Sequence, residues 1–438
     1  MQRGDGPQKA IDVHISIVGA GHVGKWLFEN LATKYDPGKT GVRIHVDRIV
    51  AKDPKKQRQG FGEGILSFDL EDAFKGPKTK IVVEAISDLK ASRDIACKAM
   101  ESGKHWVTSS KTMALYPREI VGAAIANRRN VGYMASVGGG TCVLDRISKI
   151  PYAINTVVGV LNTTSHFILK RMLLGETYEA ALREAQGAGL AEPNPDFDVK
   201  GRDGAHKISI VAQRAWNTAV THEQVCTEPI DTITPVDIQL ADALMFRDER
   251  GKKHPHVIMP LQVAQMQSGK LALGCFPALV PGNHALTTIG ERENAVYIYH
   301  EGRKEPVEVR GPGAGEPTAD AMISDIVEIA KKDAAGIADP PTLSRRVEVL
   351  EPGEMESEFY IRLYTQNVPG AMHKISGVLA KHAINMQMFY QPLLTKRGVR
   401  SPIAIIVDKE KGRVVQGALR EIEELGYAED ILLLRLFH

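Results

Sequence analysis

The sequence predicts an α/β protein in three parts: a parallel-sheet domain first, a mixed α+β middle, and a small terminal domain in β-α-β-β-α-β order. Three observations carry this. The chain opens with an apolar run, Val13 to Val18, that enters the glycine-rich turn Gly19-Ala20-Gly21-His22-Val23-Gly24 and then an amphipathic helix through Leu31. Strand, tight turn and helix in that order begin a parallel sheet. In the middle, β-branched segments at Tyr152 to Leu161 and His256 to Gln265 alternate with helical patterns at Phe167 to Leu174 and Ala205 to Thr218. Beyond a linker at 334–353, rich in alanine, glycine, proline and charge, strand and helix patterns alternate again to the end.

Length and composition agree with this division. A chain of 438 residues suggests about three domains at roughly 150 residues each. The expected bounds are 1–135, 136–317 and 355–438, with a helix at 318–335 packing back on the first domain. A net charge of +2 without a basic, aromatic-interleaved patch argues against nucleic acid as a partner. Cys97, Cys142, Cys226 and Cys275 are scattered without metal spacing, which fits a reducing cytoplasm and thiols that fill the core. The first residues lack an apolar targeting core, and no apolar run approaches the roughly 20 residues needed to span a bilayer. The expectation is a cytoplasmic protein with no membrane partner.

The first turn is G-x-G-x-x-G between a strand and a helix, the context of a Rossmann-type dinucleotide site. Gly19 allows the tight turn, Gly21 lets a pyrophosphate approach the backbone, Val23 lies in the first helical turn, and Gly24 permits close helix packing. The alternative is a glycine-rich turn of some other α/β fold. The second strand, Val42 to Ala51, follows an insertion around 35–41 and ends in Lys52-Asp53-Pro54-Lys55-Lys56-Gln57-Arg58. Basic groups there accommodate a 2′-phosphate and favour NADP, while Asp53 keeps NAD open. Exposed lysines forming a solvated face are the plainer reading. The strand Lys80 to Ile86, the helix Leu89 to Ser102 and the strand His105 to Thr108 bring Ser109, Ser110 and Lys111 to the carboxyl end of the sheet, where ligands bind. A capping serine beside a surface lysine is the alternative. The strand Asn130 to Ala135 leads into the glycine run 137–141.

From Ala185 to Lys207 the chain holds an ordered set of charges, Glu192, Asn194, Asp196 and Asp198 between turns at Gly187, Gly189 and Gly201. Asp203 and Lys207 are four residues apart on one helix face, beside the apolar stripe Ile208, Val211 and Ala215. A lysine near apolar surface with carboxylates close by suits proton transfer to a substrate oxygen. The plainer reading is an exposed helix pair worth roughly 0.3–0.5 kcal/mol. Further on, Gly311 to Thr318 looks like a second phosphate or nicotinamide loop. The terminal strands and helices, Phe359 to Tyr364, Met372 to His382, Asn385 to Gln391, Ile403 to Val407, Val414 to Leu425 and Ile431 to Phe437, give a ferredoxin-like plan.

The run Ala185, Gly189, Leu190, Ala191, Asn194-Pro195, Asp198-Val199, Gly201, Asp203 and Lys207 resembles the homoserine dehydrogenase signature, with each spacing kept. The resemblance implies an NADP-dependent interconversion of L-aspartate 4-semialdehyde and L-homoserine. It implies Lys207 as acid/base, Glu192 and Asp203 as binders of the substrate ammonium, and Lys111 in Thr108-Ser109-Ser110-Lys111 near substrate or nicotinamide. Cofactor contacts would come from Gly19, Gly21, Val23, Gly24, Lys52, Ser110, Lys111, Gly189 and Gly313. Where the family has a cation-binding glutamate this chain has Met134, and where it has a proline this chain has Cys142; a thioether suits a hard cation poorly, so no metal is expected. Ser87-Asp88 and Thr163 to His166 depart from the family as well. The turn Asn367-Val368-Pro369-Gly370 resembles that of ACT regulatory domains, implying an amino-acid effector at 367–371 (threonine, by the family's pathway) and a dimer or tetramer; a purely oligomerising module is the alternative. Two other functions stay open: the same redox chemistry on a different amino or hydroxy acid, and a non-catalytic nucleotide-binding amino-acid sensor.

Overall fold

The computed structural model describes residues 10–55, 60–61, 64–313, 315–392 and 397–437. They fall into two compact units, one built from 1–154, 209–222 and 309–346, the other from 155–208, 223–308 and 347–438.

The first unit carries a six-stranded sheet. Its strands are β1 (Ile11–Val18), β2 (Val42–Val50), β3 (Leu66–Ser67), β4 (Thr79–Glu84), β5 (His105–Thr108) and β6 (Val131–Gly132), in the order β3-β2-β1-β4-β5-β6 and parallel throughout. Val13, Ile15, Ile17 and Val18 of β1 and Ile81, Val82 and Val83 of β4 are apolar and buried, as strands covered on both faces must be. Helix α1 (His22–Thr33) contributes Leu27, and the Pro317–Ala334 helix contributes Met322, Ile326 and Ala330 to the same core. Helix α2 (Leu89–Glu101) starts at Asp88, whose carboxylate accepts from the amides of Lys90 and Ala91 at 3.1 and 3.0 Å. The departure Ser87-Asp88 thus includes a helix cap.

Two local expectations are corrected, and one insertion takes a definite form. The strand foreseen over Asn130 to Ala135 shortens to two residues, because the Met134 amide turns to the Asp325 carboxylate at 3.0 Å and a 3₁₀ turn follows at Met134–Ser136. The insertion at 35–41 is a one-turn helix, Pro37–Thr40, capped by Asp36 through the Gly38 amide at 2.8 Å. The thiols are not all core fillers: Cys275 is buried, Cys97 and Cys226 are half-buried, and Cys142 is exposed in a left-handed turn with φ 51°.

The second unit is organised on a ten-stranded sheet. Its elements in chain order are β7 (Ile154–Val160), α3 (Thr163–Leu173), α4 (Tyr178–Gly187), the start of α5 (Arg202–Trp216), β8 (His256–Gln267), β9 (Lys270–Pro281), β10 (Glu293–His300), β11 (Glu356–Gln366), α6 (Ala371–Lys381), β12 (Met386–Tyr390), β13 (Arg400–Lys411), α7 (Gly412–Glu424) and β14 (Glu429–Leu436). Eight of the ten strands run in the order β10-β7-β8-β9-β14-β11-β13-β12, and the two-residue strand Cys226–Thr227 pairs with β9 off this path. Strands β8 and β9 form a hairpin turning at Ser268 and Gly269, both with positive φ (49° and 79°), the twist-compatible two-residue loop. The terminal segment joins this sheet through β14, which pairs parallel to β9 at Ala278–Arg435 and Leu279–Leu436. One core cluster runs across that joint, uniting Phe167, Leu169 and Met172 of α3 with Leu279, Tyr360, Ile406, Leu434 and Leu436. Arg435 reinforces it, pairing with Glu228 and stacking its guanidinium 4.4 Å from the Phe276 ring. Among the described residues no helix is long and apolar enough to cross a membrane.

Candidate functional site

In the first unit the site begins at the turn leaving β1. Gly19 has φ 112°, and a Cβ there would overlap the carbonyl oxygen of Ala85. Gly24 is equally committed, since a Cβ would strike the Gly19 carbonyl where α1 crosses the turn. Gly21 differs: a Cβ there would meet nothing within 4 Å, so its backbone borders open space at the helix N-terminus. The amides of a helix's first turn, here including Val23, lack intrahelical acceptors and point outward with the positive end of the helix dipole. The three glycines fit a dinucleotide pyrophosphate, two by packing and one by leaving room. Lys52 stands exposed just past β2, and Asp53 directs one carboxylate oxygen to the Lys55 amide at 2.9 Å. Lys56 and Arg58 lie outside the described residues.

Beside this turn, at the carboxyl end of β4, sits Glu84, a residue the sequence reading did not single out. It is fully buried, and its carboxylate accepts from Ser92 Oγ, the Ile86 amide, Thr108 Oγ1 at 2.7 Å and Ser110 Oγ at 2.8 Å. Burial pushes its carboxyl above the usual range, against the pull of those four donors. Glu84 thereby fixes the loop 108–111, whose Ser109 amide also bonds the Glu84 carbonyl at 3.2 Å. Ser110 is buried in this network, while Lys111 is only half-buried at the start of the 3₁₀ turn Thr112–Ala114. Gly313 lies half-buried between the strand Val307–Pro312 and the Pro317–Ala334 helix.

In the second unit the motif from Ala185 to Lys207 folds around one ion pair. Lys207 Nζ lies 2.7 Å from Asp203 Oδ2 and donates to the Leu161 carbonyl at 2.7 Å, with the two side chains 13% and 7% exposed. Asn162 ties the pair down. Its Nδ2 donates to Asp203 Oδ2 at 2.8 Å and to Asp198 Oδ1 at 2.7 Å, while its Oδ1 caps α3 through the Ser165 amide. The hydroxyls of the departing segment are similarly engaged: Thr163 bonds Asn294 at 3.3 Å, Thr164 the Leu190 carbonyl at 2.7 Å, and Ser165 the Asp198 carbonyl at 3.1 Å. His166 is buried, and desolvation lowers its pKa to about 4. Glu192 is exposed, on a segment held by Gln186 through the carbonyls of Glu192 and Pro193. Gly189 is an exposed left-handed residue (φ 70°) closing the end of α4. A lysine with two fixed acceptors and a small exposed fraction can hold a proton at a defined point and still meet a small molecule. Asn162 opens the segment that departs from the family and Leu161 ends a strand, but their roles were not legible because the partners lie 36 to 46 residues along the chain.

Comparison with known proteins agrees with both halves. Residues 19–134 match the family model for the homoserine dehydrogenase NAD binding domain, and residues 144–327 match that for homoserine dehydrogenase. The homoserine dehydrogenase of Helicobacter pylori is 30% identical over 425 residues, covering 94% of this chain and 96% of that one. The crystal structure of a homoserine dehydrogenase from Thiobacillus denitrificans superposes with a TM-score of 0.89 at 27% identity, covering 98% of this chain and 99% of that one. A hyperthermophilic archaeal homoserine dehydrogenase mutant, solved in complex with NADPH, shares the fold with a TM-score of 0.61 at 24% identity, over 73% of this chain and 98% of its own. The class is thereby defined as an oxidoreductase that uses a nicotinamide dinucleotide on a CH–OH group. Within that class, the chain belongs to the homoserine dehydrogenase family.

Proposed function

We propose that this chain interconverts L-aspartate 4-semialdehyde and L-homoserine with NADP, in the cytoplasmic route to threonine, methionine and isoleucine, with Lys207 as acid/base. The observation that carries the reading is the doubly anchored lysine, held by Asp203 and the Leu161 carbonyl. Gly19, Gly21, Val23 and Gly24, with Ser110, Lys111, Gly189 and Gly313, would hold the dinucleotide, whose nicotinamide would supply or accept the hydride. In the reductive direction the Lys207 ammonium donates a proton to the carbonyl oxygen and stabilises the developing alkoxide; in the oxidative direction the amine takes it back. Glu192 and Asp203 hold the substrate ammonium, and Lys111 contacts substrate or nicotinamide. Replacing Lys207 by alanine is expected to lower kcat by about 10²–10⁴-fold with the fold intact. Near-normal turnover of Lys207→Ala would overturn the assignment.

The choice of NADP is supported by exposed Lys52 and Lys55 past β2 and by Asp53, one oxygen of which serves its own turn. The comparison to make is kcat/KM with NADPH and with NADH; a preference for NADH refutes it. The terminal segment is read as an ACT-type regulatory module working in a dimer or tetramer. Its support is the element order β11-α6-β12-β13-α7-β14, the strand order β14-β11-β13-β12, and the turn at Gly370 with φ 87° opening α6. Threonine titrated against the intact enzyme is expected to inhibit, and indifference to threonine, methionine, isoleucine and lysine alike leaves the module an assembly element.

A further inference from the structure

The Leu161 peptide stands at the end of β7 with its carbonyl on Lys207 Nζ, so whatever fixes that peptide also fixes the lysine. Its amide donates to the side-chain Oε1 of Gln262. Gln262 is 1% exposed and sits mid-strand in β8, opposite Gly159 of β7 and Cys275 of β9. The other end of its amide is engaged too, Nε2 donating to the Pro260 carbonyl at 3.3 Å and to Cys275 Sγ at 3.4 Å. Helix α5 descends onto it at Gly204, where a Cβ would come within 3.0 Å of Gln262 Cγ and Nε2. The centre of a buried strand ordinarily takes an apolar residue, because a buried amide carries a desolvation penalty that only complete hydrogen bonding offsets. A fully satisfied glutamine there has a task that leucine could not perform.

We infer that Gln262 is a positioning residue for proton transfer: it locks the Leu161 peptide so that its carbonyl holds Lys207 in line with Asp203. The inference rests on the acid/base reading of Lys207. Without the Oε1 acceptor the Leu161 amide is unsatisfied, the peptide is free to rotate, and Lys207 keeps Asp203 as an anchor but loses the carbonyl. No substrate contact is removed, so the loss falls on kcat.

The test uses the intact enzyme and whichever nicotinamide cofactor it turns over. Gln262→Met keeps the volume and removes the acceptor; kcat is expected to fall about 10–100-fold, the effect of a misplacement near 1 Å, with KM for both substrates within about threefold. Gln262→Glu retains an acceptor for the Leu161 amide and is expected to keep at least about a third of wild-type kcat by restoring the hydrogen bond. In a Lys207→Ala background Gln262→Met should produce no further loss, since the two residues act as one unit. Circular dichroism and cofactor titration establish that each variant folds, and Gln262→Glu carries the test where Gln262→Met does not. Wild-type kcat in Gln262→Met, an equal loss with and without Lys207, or a folded Gln262→Glu protein as impaired as Lys207→Ala would each overturn the inference. Retained turnover in Lys207→Ala alone would instead remove the reading on which it rests.

Discussion

Asp325 shows how a single buried group can set the behaviour of this protein with pH. It lines a cleft of about 780 Å³ in the first unit, together with Tyr133, Met134, Arg214 and Glu328. Burial pushes its carboxyl up to about 8, so at pH 7 the folded protein holds a proton there that the unfolded chain has released. Stability from this group is full below about pH 4 and is lost as pH rises to about 8. His166 acts the other way: lowered to about 4 by burial, it is neutral when folded but takes a proton when unfolded below about pH 6.5, so its contribution is lost as pH falls. Between about pH 4 and 6.5 the two slopes oppose one another. From pH 6.5 to 8 His166 no longer opposes Asp325, whose raised carboxyl is joined in sign by that of Glu84, and stability should decline by up to about 1.4 kcal/mol per pH unit from Asp325, read as a falling melting temperature. Asp325→Asn is expected to flatten that decline; an unchanged slope in the variant refutes the attribution. At Gly19, alanine would carry a Cβ into the Ala85 carbonyl with φ at 112°, so Gly19→Ala is predicted to weaken dinucleotide binding at least tenfold (about 1.4 kcal/mol), measured by fluorescence titration. The residues easiest to read from sequence were those whose partners are local. Asp203 and Lys207 announce themselves four apart on a helix, whereas Glu84, Asn162 and Gln262 draw meaning from partners that only the folded sheet brings near.

Among the elements, the first sheet was legible where a largely apolar segment leads into a turn and an amphipathic helix, as at β1 with α1 and β4 with α2, whereas the two-residue β3 passed without notice. Less legible was β6, whose apolar pattern the Asp325 carboxylate interrupts. The hairpin β8–β9 carries Ser268-Gly269, a weaker turn signal than Asn-Gly, and β9 passed without notice. A second hidden feature lies between the helix Pro235–Ala243 and β11. Asp237, fully buried in the capping box with Thr234, accepts from Arg362 Nε at 2.9 Å, while Arg362 also reaches Asp430 at 2.8 Å. Arg362→Ala would strand the Asp237 carboxylate in the interior and is expected to cost about 3–5 kcal/mol of stability. Arg362→Ala should therefore melt several degrees lower, with cofactor affinity in the first unit unchanged; a variant as stable as wild type contradicts the pairing. At the start of α2, Asp88→Ala removes the carboxylate oxygen that accepts from the Lys90 and Ala91 amides and should cost about 1 kcal/mol, read in a denaturant titration.

At the level of the whole chain, the joint between β9 and β14 is the feature that composition and periodicity did not disclose. Local patterns describe the terminal segment as self-sufficient, since its strands and helices alternate correctly by themselves. Registry between Ala278 and Arg435 is a fact about distant pairing, invisible to any window of neighbouring residues. Until β14 is in place, β9 lacks its partner at Ala278 and Leu279, beyond the stretch where Gly274 and Cys275 pair with Cys226–Thr227, and this end of an apolar strand presents unpaired backbone groups as a bare margin. Closing a contact between residues 278 and 435 is slow, because the chain entropy of so long a loop is spent before the pairing rewards it. A refolding chain therefore passes through a state in which this margin can recruit the same strand of another molecule, and the yield of soluble enzyme should fall steeply as protein concentration rises. Light scattering during dilution from denaturant would reveal this as a concentration-dependent loss, and a short peptide spanning Glu429–Leu436, added in excess, should suppress it by occupying the vacant margin.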